Sequence, residues 1–313
     1  MRPLSVYATA ALALFMCVPA PAGAQDAEKY VYVAVLGSDG APIEGLTLDH
    51  FAVREGGRDR KVVKAAPLRI PMHVAVLVDT SGHGGPPDES FRSAVVDFVE
   101  RLAAVNHVAV YSFGDRATQV AEFTQDVPRL GAAVAGMFGG AHQRSHLIEG
   151  IDRALRDLAK IETRRPVIVT ISSESPEGSG QTAGGVIRRL IAQSVAFHSV
   201  ALASATGSDR AATVNSSIPE SSRRLGGLAA AGEGDRERTQ MVRQGTASTG
   251  GSSQRLTSAM ALGQALTRLA RELSNSYMVT FTRPGSDRLR DLQVGVMVDN
   301  VTLRATAAPF GTR

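Results

Sequence analysis

The sequence predicts an α/β chain: a doubly wound, mostly parallel sheet flanked by a small antiparallel β unit built from both termini. Three observations predict it. The run His73-Val74-Ala75-Val76-Leu77-Val78 is apolar at nearly every position, as a strand buried on both faces must be. From Pro71 onward such runs alternate with stretches of helical periodicity, the rhythm of a sheet covered on both sides. Before residue 71 and after residue 274 the pattern changes to short strands divided by Gly, Asp and Asn reversals.

Residues 1–24 read as a secretory leader. Arg2 is the only charge, an apolar run spans Leu4 to Ala20, and Ala22-Gly23-Ala24 fits a small-x-small cleavage site. The run is short for a bilayer, so no stable membrane span is expected after cleavage; an uncleaved anchor is the alternative. Cys17 is the only cysteine and falls inside this leader. The rest of the chain can form no disulfide, although the implied compartment, periplasmic or secreted, would permit one.

Residues 25–70 form the first β segment. Tyr30 to Val35 is strand-like and Ser38-Asp39-Gly40 is a turn. Leu46 to Gly57 gives a short turn, a strand and a Gly-Gly reversal, and Arg60 to Ala65 reads as the returning strand. The α/β domain is placed at 71–274. Strand 73–78 is followed by a helix capped by Asp88 and running to about Ala104, with Phe91, Val95, Phe98, Val99 and Leu102 on one face. His107 to Phe113 is a second buried strand and Ala117 to Phe123 an edge strand. Val127 to Met137 and His146 to Lys160 are helices, the latter with Leu147, Ile151, Leu155 and Leu158 inward. Pro166 to Ile171 and Val195 to Ala203 are buried strands around a helix from Ala183 to Gln193. Residues 204–246 are rich in Ser, Gly, Arg, Glu and Ala. They read as a mobile surface insertion with one charged helix around Asp235 to Val242. Thr249-Gly250-Gly251 is a tight turn, and Leu256 to Leu273 an amphipathic helix. In the C-terminal segment, 275–313, strands at Tyr277 to Thr282, Asp291 to Val298 and Val301 to Ala305 are expected to pair with the N-terminal ones.

The formal net charge of +4 is small and scattered, and Trp is absent. A nucleic-acid platform needs a dense basic face or stacking rings, so that partner class is excluded.

Strand 73–78 ends abruptly in Asp79-Thr80-Ser81-Gly82-His83. Open α/β sheets bind ligands beyond the carboxyl ends of their strands, so Asp79 and Ser81 are expected side by side on the rim as part of a docking surface. Oxygen donors of this kind suit Mg²⁺ or Ca²⁺.

With this crest, the order of elements after it and Thr249-Gly250-Gly251, the chain resembles a von Willebrand factor type A domain. Its flanks resemble the bacterial exported proteins related to that family. A segment of the form V-x-V-x-D-x-x-G-x-x-[VI]-x-G-L-T-x-x-D-F is matched over Val33 to Phe51, with Asp39-Gly40, Ile43, Gly45-Leu46-Thr47 and Asp49-His50-Phe51. Leu269 to Tyr277 followed by Pro284 is similar to the family's end. The resemblance implies a Rossmann-like fold, an unidentified protein partner, no enzymatic activity, and a divalent cation held by Asp-x-Ser-x-Ser, a Thr from a second loop and an Asp from a third.

The chain departs from that ligand pattern. Asp79 and Ser81 match the first two positions, but His83 stands at the second serine. Ser145 takes the threonine position and Ser173 the third-loop aspartate position, with Glu174 one residue out of register. The site implied is a degenerate one, with Asp79, Ser81 and Ser145 as its metal ligands and Mg²⁺ or another divalent cation bound weakly at most. Two alternatives come from the same residues. His83 and His146, with His142 and Glu174, are a nitrogen-ligand set for Zn²⁺ or Ni²⁺. Ser81 with a histidine is a hydrolase reading, which lacks the leading glycine of a nucleophile elbow. Gly178 to Thr182 lacks a phosphate-loop lysine and is expected to cap the helix that follows it. His50, His73, His107 and His198 are read as structural or surface residues.

Overall fold

The computed structural model describes residues 26–81, 89–138, 145–173, 175–203, 227–284 and 292–307. The leader, His83, His142, Glu174 and the reversal after Pro284 lie outside these residues.

The central sheet has the order β10-β9-β8-β5-β6-β7, formed by β5 (His73–Val78), β6 (His107–Ser112), β7 (Thr118–Thr124), β8 (Pro166–Ser173), β9 (Ala196–Leu202) and β10 (Ser253–Leu256). All neighbours are parallel except the edge pair β6 and β7, which is antiparallel. Taking β5 as the first strand, the order is 3-2-1-4-5-6 read from the other edge, the doubly wound arrangement. The even positions of β5 (Val74, Val76, Val78) pack under α1 (Glu89–Ala103), α2 (Val127–Gly136) and α6 (Ala259–Ser274). Its odd positions (Ala75, Leu77) pack under α3 (Leu147–Leu158), α4 (Ala183–Ala192) and α5 (Gly227–Thr249). Both faces are covered, which is why the strand shows no polar alternation.

The flanking β unit is a two-layer sandwich. One sheet has the order β13-β1-β11-β4, from β1 (Asp26–Leu36), β4 (Val62–Pro67), β11 (Tyr277–Pro284) and β13 (Thr302–Ala307). The other has the order β12-β2-β3, from β2 (Phe51–Glu55), β3 (Arg58–Arg60) and β12 (Leu292–Val296). Val31, Val33 and Val35 of β1 meet Phe51, Val53, Tyr277, Val279 and Phe281 between the layers. Strands from the two ends of the chain thus complete a core that neither end could bury alone.

Three local expectations need correction. The strand returning from the Gly56-Gly57 turn is only Arg58–Arg60; Val62–Pro67 leaves that hairpin and pairs with β11 in the other layer. The amphipathic stretch after Gly251 begins as a strand, β10, and becomes helical at Ala259, where the Ser258 hydroxyl accepts from the Ala261 amide. Of the segment read as a mobile insertion, residues 227–246 lie within helix α5, whose Met241 is fully buried against the sheet. One buried methionine and few other large apolar residues left too little periodicity along the chain to show this.

The histidines near the strands are structural. His73 and His107 stack at 4.8 Å across the amino ends of β5 and β6. His198, on β9, is buried with Nδ1 3.0 Å from Ser252 Oγ. Burial, reinforced by Arg304 and Arg165, pushes its pKa down to about 3. A group held neutral in this way stabilises the fold fully above pH 6.5, and that stability is lost as pH falls from there towards 3. His198→Gln is therefore expected to remove about 2 kcal/mol of the loss in unfolding free energy between pH 7.5 and 5, measured by urea denaturation.

Candidate functional site

β8 runs two residues past the end of β5 in register, because Val78 pairs with Ile171 and Ser172 and Ser173 continue beyond it. The Asp79 amide extends the ladder by donating to the Ile171 carbonyl at 2.9 Å. This brings Asp79 and Ser173 together between β5 and β8, where the strand order reverses. That crevice is where doubly wound sheets place their ligands.

The two oxygens of Asp79 are both engaged. Oδ1 accepts from the Ser81 amide at 2.9 Å and from the Ser81 hydroxyl. Oδ2 accepts from the Ser173 hydroxyl at 3.1 Å. Ser175 Oγ donates to the Ser81 carbonyl at 3.1 Å, closing a small network of serine hydroxyls around one carboxylate. Burial raises the Asp79 pKa to about 6, against the opposing effects of Ser81, Arg238 and Ser173. Arg238, on α5, donates to the carbonyls of Ser175 (2.7 Å) and Ser173 (2.8 Å) and so holds the β8 loop in place.

Asp79 and Ser81 do lie at the rim, but they are not on its surface. They are 5% and 2% exposed. The expectation that this pair itself forms a docking surface is corrected: its physical role is to tie the loops of the crest together. A buried Ser81 is also poorly placed to meet a substrate, which weighs against the hydrolase reading.

Ser145 is brought to the same rim by a different route. Its amide donates to the Pro176 carbonyl at 2.9 Å and its carbonyl accepts from the Gly178 amide at 2.7 Å. Its hydroxyl is buried without a hydrogen-bond partner. Glu177, one residue on in that loop, accepts from the Leu147 amide at 3.3 Å at the start of α3, and Ser179 Oγ accepts from the Glu149 amide at 3.1 Å. Ser179 of the 178–182 loop thus caps α3, which precedes it, while Thr182 stands at the N-cap of α4 without a side-chain cap bond. The first amide of α4 is instead taken by Glu237 of α5. His146 holds Gly114 through Nδ1, 2.8 Å from its carbonyl oxygen, and leaves Nε2 outside that contact.

As a cation site the donor set fits poorly. It offers one carboxylate whose oxygens are already hydrogen-bonded, and a guanidinium pinned beside it. Mg²⁺ dehydrates reluctantly and needs more anionic oxygen than this to hold it. The unpartnered Ser145 hydroxyl is the one donor left free. Among the described residues no group of three His, Cys, Asp or Glu side chains converges, so His146 is the only described member of the nitrogen-ligand set.

Sequence reasoning missed Ser175, Glu177 and Arg238. Ser175 carried a weak signal, as one more hydroxyl just past the end of a buried strand that already closes on Ser172 and Ser173. Arg238 carried no such signal, because the charged helix expected around Asp235 to Val242 read as part of a solvated insertion and not as an element packed on the sheet.

Comparison of the sequence with protein-family profiles and with curated proteins finds no match. Solved structures do resemble it. The VWA domain of SpRpn10 is 14% identical, covering 63% of this chain and 94% of its own, with a TM-score of 0.42. BatB from Bacteroides thetaiotaomicron is 14% identical over 65% of this chain and 100% of its own, with a TM-score of 0.45. A von Willebrand factor type A protein from Catenulispora acidiphila is 8% identical over 93% of this chain and 74% of its own, with a TM-score of 0.47. The α/β unit has the doubly wound fold that the resemblance to von Willebrand factor type A domains implies. That assignment stands on the chain's own strand order and crest; likenesses this distant say nothing about activity or partner. Among the described residues, no helix is long and apolar enough to cross a membrane.

Proposed function

We propose that this chain is an exported, non-enzymatic protein-docking module that works through the loops above the Asp79 crest without a tightly held divalent cation. One observation carries the reading. Both Asp79 oxygens are satisfied internally by Ser81 and Ser173, and Arg238 pins the same loop, so the rim is already built from protein groups alone. Exposed side chains over this end of the sheet include Asp115 and Arg116, just beyond β6, and Thr182 before α4. Loops held by a rigid scaffold are the usual place for recognition. The leader read at residues 1–24 points to the periplasm or the cell exterior as the module's compartment.

The test is capture of envelope proteins by the purified chain, with and without EDTA, beside a charge-reversed variant, Asp115→Lys with Arg116→Glu. The expected result is a defined partner, retained in EDTA and lost in the variant. Capture abolished by EDTA would make the cation essential and reject the reading. Capture unchanged in the variant would move the interface off this rim.

A further inference from the structure

At the opposite end of the sheet from the crest, a cavity of about 40 Å³ lies among Tyr32, Arg165, His198, Glu272, Ser276 and Arg304. It sits at the amino ends of β8 and β9, against β1 and β13 of the sandwich. Arg165 is 7% exposed. Its Nη2 donates to the Leu273 carbonyl and to Ser276 Oγ (3.2 Å), both neutral acceptors. Among the described residues no carboxylate lies within ion-pairing distance of Arg165. Arg304 Nε meets Glu272 Oε1 at 3.4 Å, and its Nη1 is buried with no acceptor.

The cavity is therefore walled by two guanidinium groups and one carboxylate, an excess of one positive charge. Burial lowers the Arg165 pKa to about 10, so it remains charged at neutral pH. His198 stays neutral there and offers no compensation. Water could satisfy loose N–H donors but not the charge, and buried charges in proteins are normally paired.

We infer that this cavity binds a small monovalent anion of chloride or bromide size between Arg165 and Arg304. The volume has room for about three water-sized occupants, which favours a small ion over organic anions and phosphate esters. The single excess charge selects a monovalent ion over sulfate. Such an ion would also join the two units of the chain, because Arg165 comes from the α/β unit and Arg304 from β13.

The test uses the purified chain in sodium gluconate, with chloride or bromide exchanged in at constant ionic strength. A saturable rise in Tm of about 5 °C is expected for either halide. Arg304→Gln should abolish the rise, and Arg304→Lys should keep part of it. Crystals soaked in bromide should show an anomalous peak in the cavity. Halide and gluconate giving the same Tm would overturn the inference. So would ordered water alone in the cavity, or a bromide peak with no halide-dependent Tm, which would mean an adventitious ion only.

Discussion

Ser173→Asp, alone and with His83→Ser, is expected to convert the crest into a true divalent-cation site. Ser173 Oγ lies 3.1 Å from Asp79 Oδ2, so an aspartate there places a second carboxylate against the first. Without metal the two charges repel in a buried setting, and the variant should lose about 3 kcal/mol of stability at pH 7.5. A divalent cation between them reverses the sign. It would gain a second anionic ligand, keep the Ser81 hydroxyl within reach, and replace the repulsion with two attractions. Mg²⁺ or Mn²⁺ affinity by isothermal titration should rise at least about tenfold for the single variant and further for the double one, where a hydroxyl replaces a bulky imidazole. At a concentration of about 100 times the dissociation constant, the metal should return roughly 2.7 kcal/mol, offsetting the loss. A variant destabilised without any gain in cation affinity would show that Ser173 does not occupy the third-loop ligand position.

What the sequence made legible here follows from which signals are local. Strand β5 announced itself because every residue from Val74 to Val78 is buried, and the abrupt change at Asp79 marked its carboxyl end. The pairing of the two chain ends was legible because neither set of short strands carries enough apolar surface alone. The burial of Asp79 was not legible. It depends on Ser173, Ser175 and Arg238, which lie 94, 96 and 159 positions along the chain, and no local pattern reports such a contact. The packing and full length of helix α5, of which only a charged stretch around Asp235 to Val242 was expected, were hidden for a related reason. The helix rests on the sheet mainly through Met241 and grips the loops through Arg238 and Glu237, polar contacts that composition reads as a solvated surface. Asp79, Ser81 and Ser173 share one rim, while the chemistry between them is hydrogen bonding.

Gly251→Ala should be among the most damaging single methyl groups that can be added to the described part of this chain. The turn Thr249-Gly250-Gly251 was legible as a turn, but turning is not what makes Gly251 necessary. A Cβ there would stand 1.8 Å from the Phe197 carbonyl oxygen and 2.6 Å from its carbon, which is backbone of a central strand and cannot swing aside. Gly250 carries two demands: its φ is +72°, and a Cβ would lie 2.0 Å from the Ala305 oxygen of β13. The same turn is tied on each side by Thr249, whose Oγ accepts from the Phe197 amide at 3.1 Å and whose carbonyl accepts from Thr306 Oγ at 2.9 Å. Here the sheet of the α/β unit, the end of α5 and the outer strand of the sandwich meet at backbone contact. Gly45 supplies the control, with φ +78° and nothing within 4 Å of where an added methyl would stand. Gly45→Ala should cost only about 1 kcal/mol, the conformational penalty alone. Gly251→Ala, whose φ is unexceptional, should cost about 4 kcal/mol or more through overlap alone, and Gly250→Ala at least as much. Urea denaturation of the three variants separates the two causes. Equal losses at Gly45 and Gly251 would mean that the turn's conformation, and not the close approach of three elements, is what this position protects.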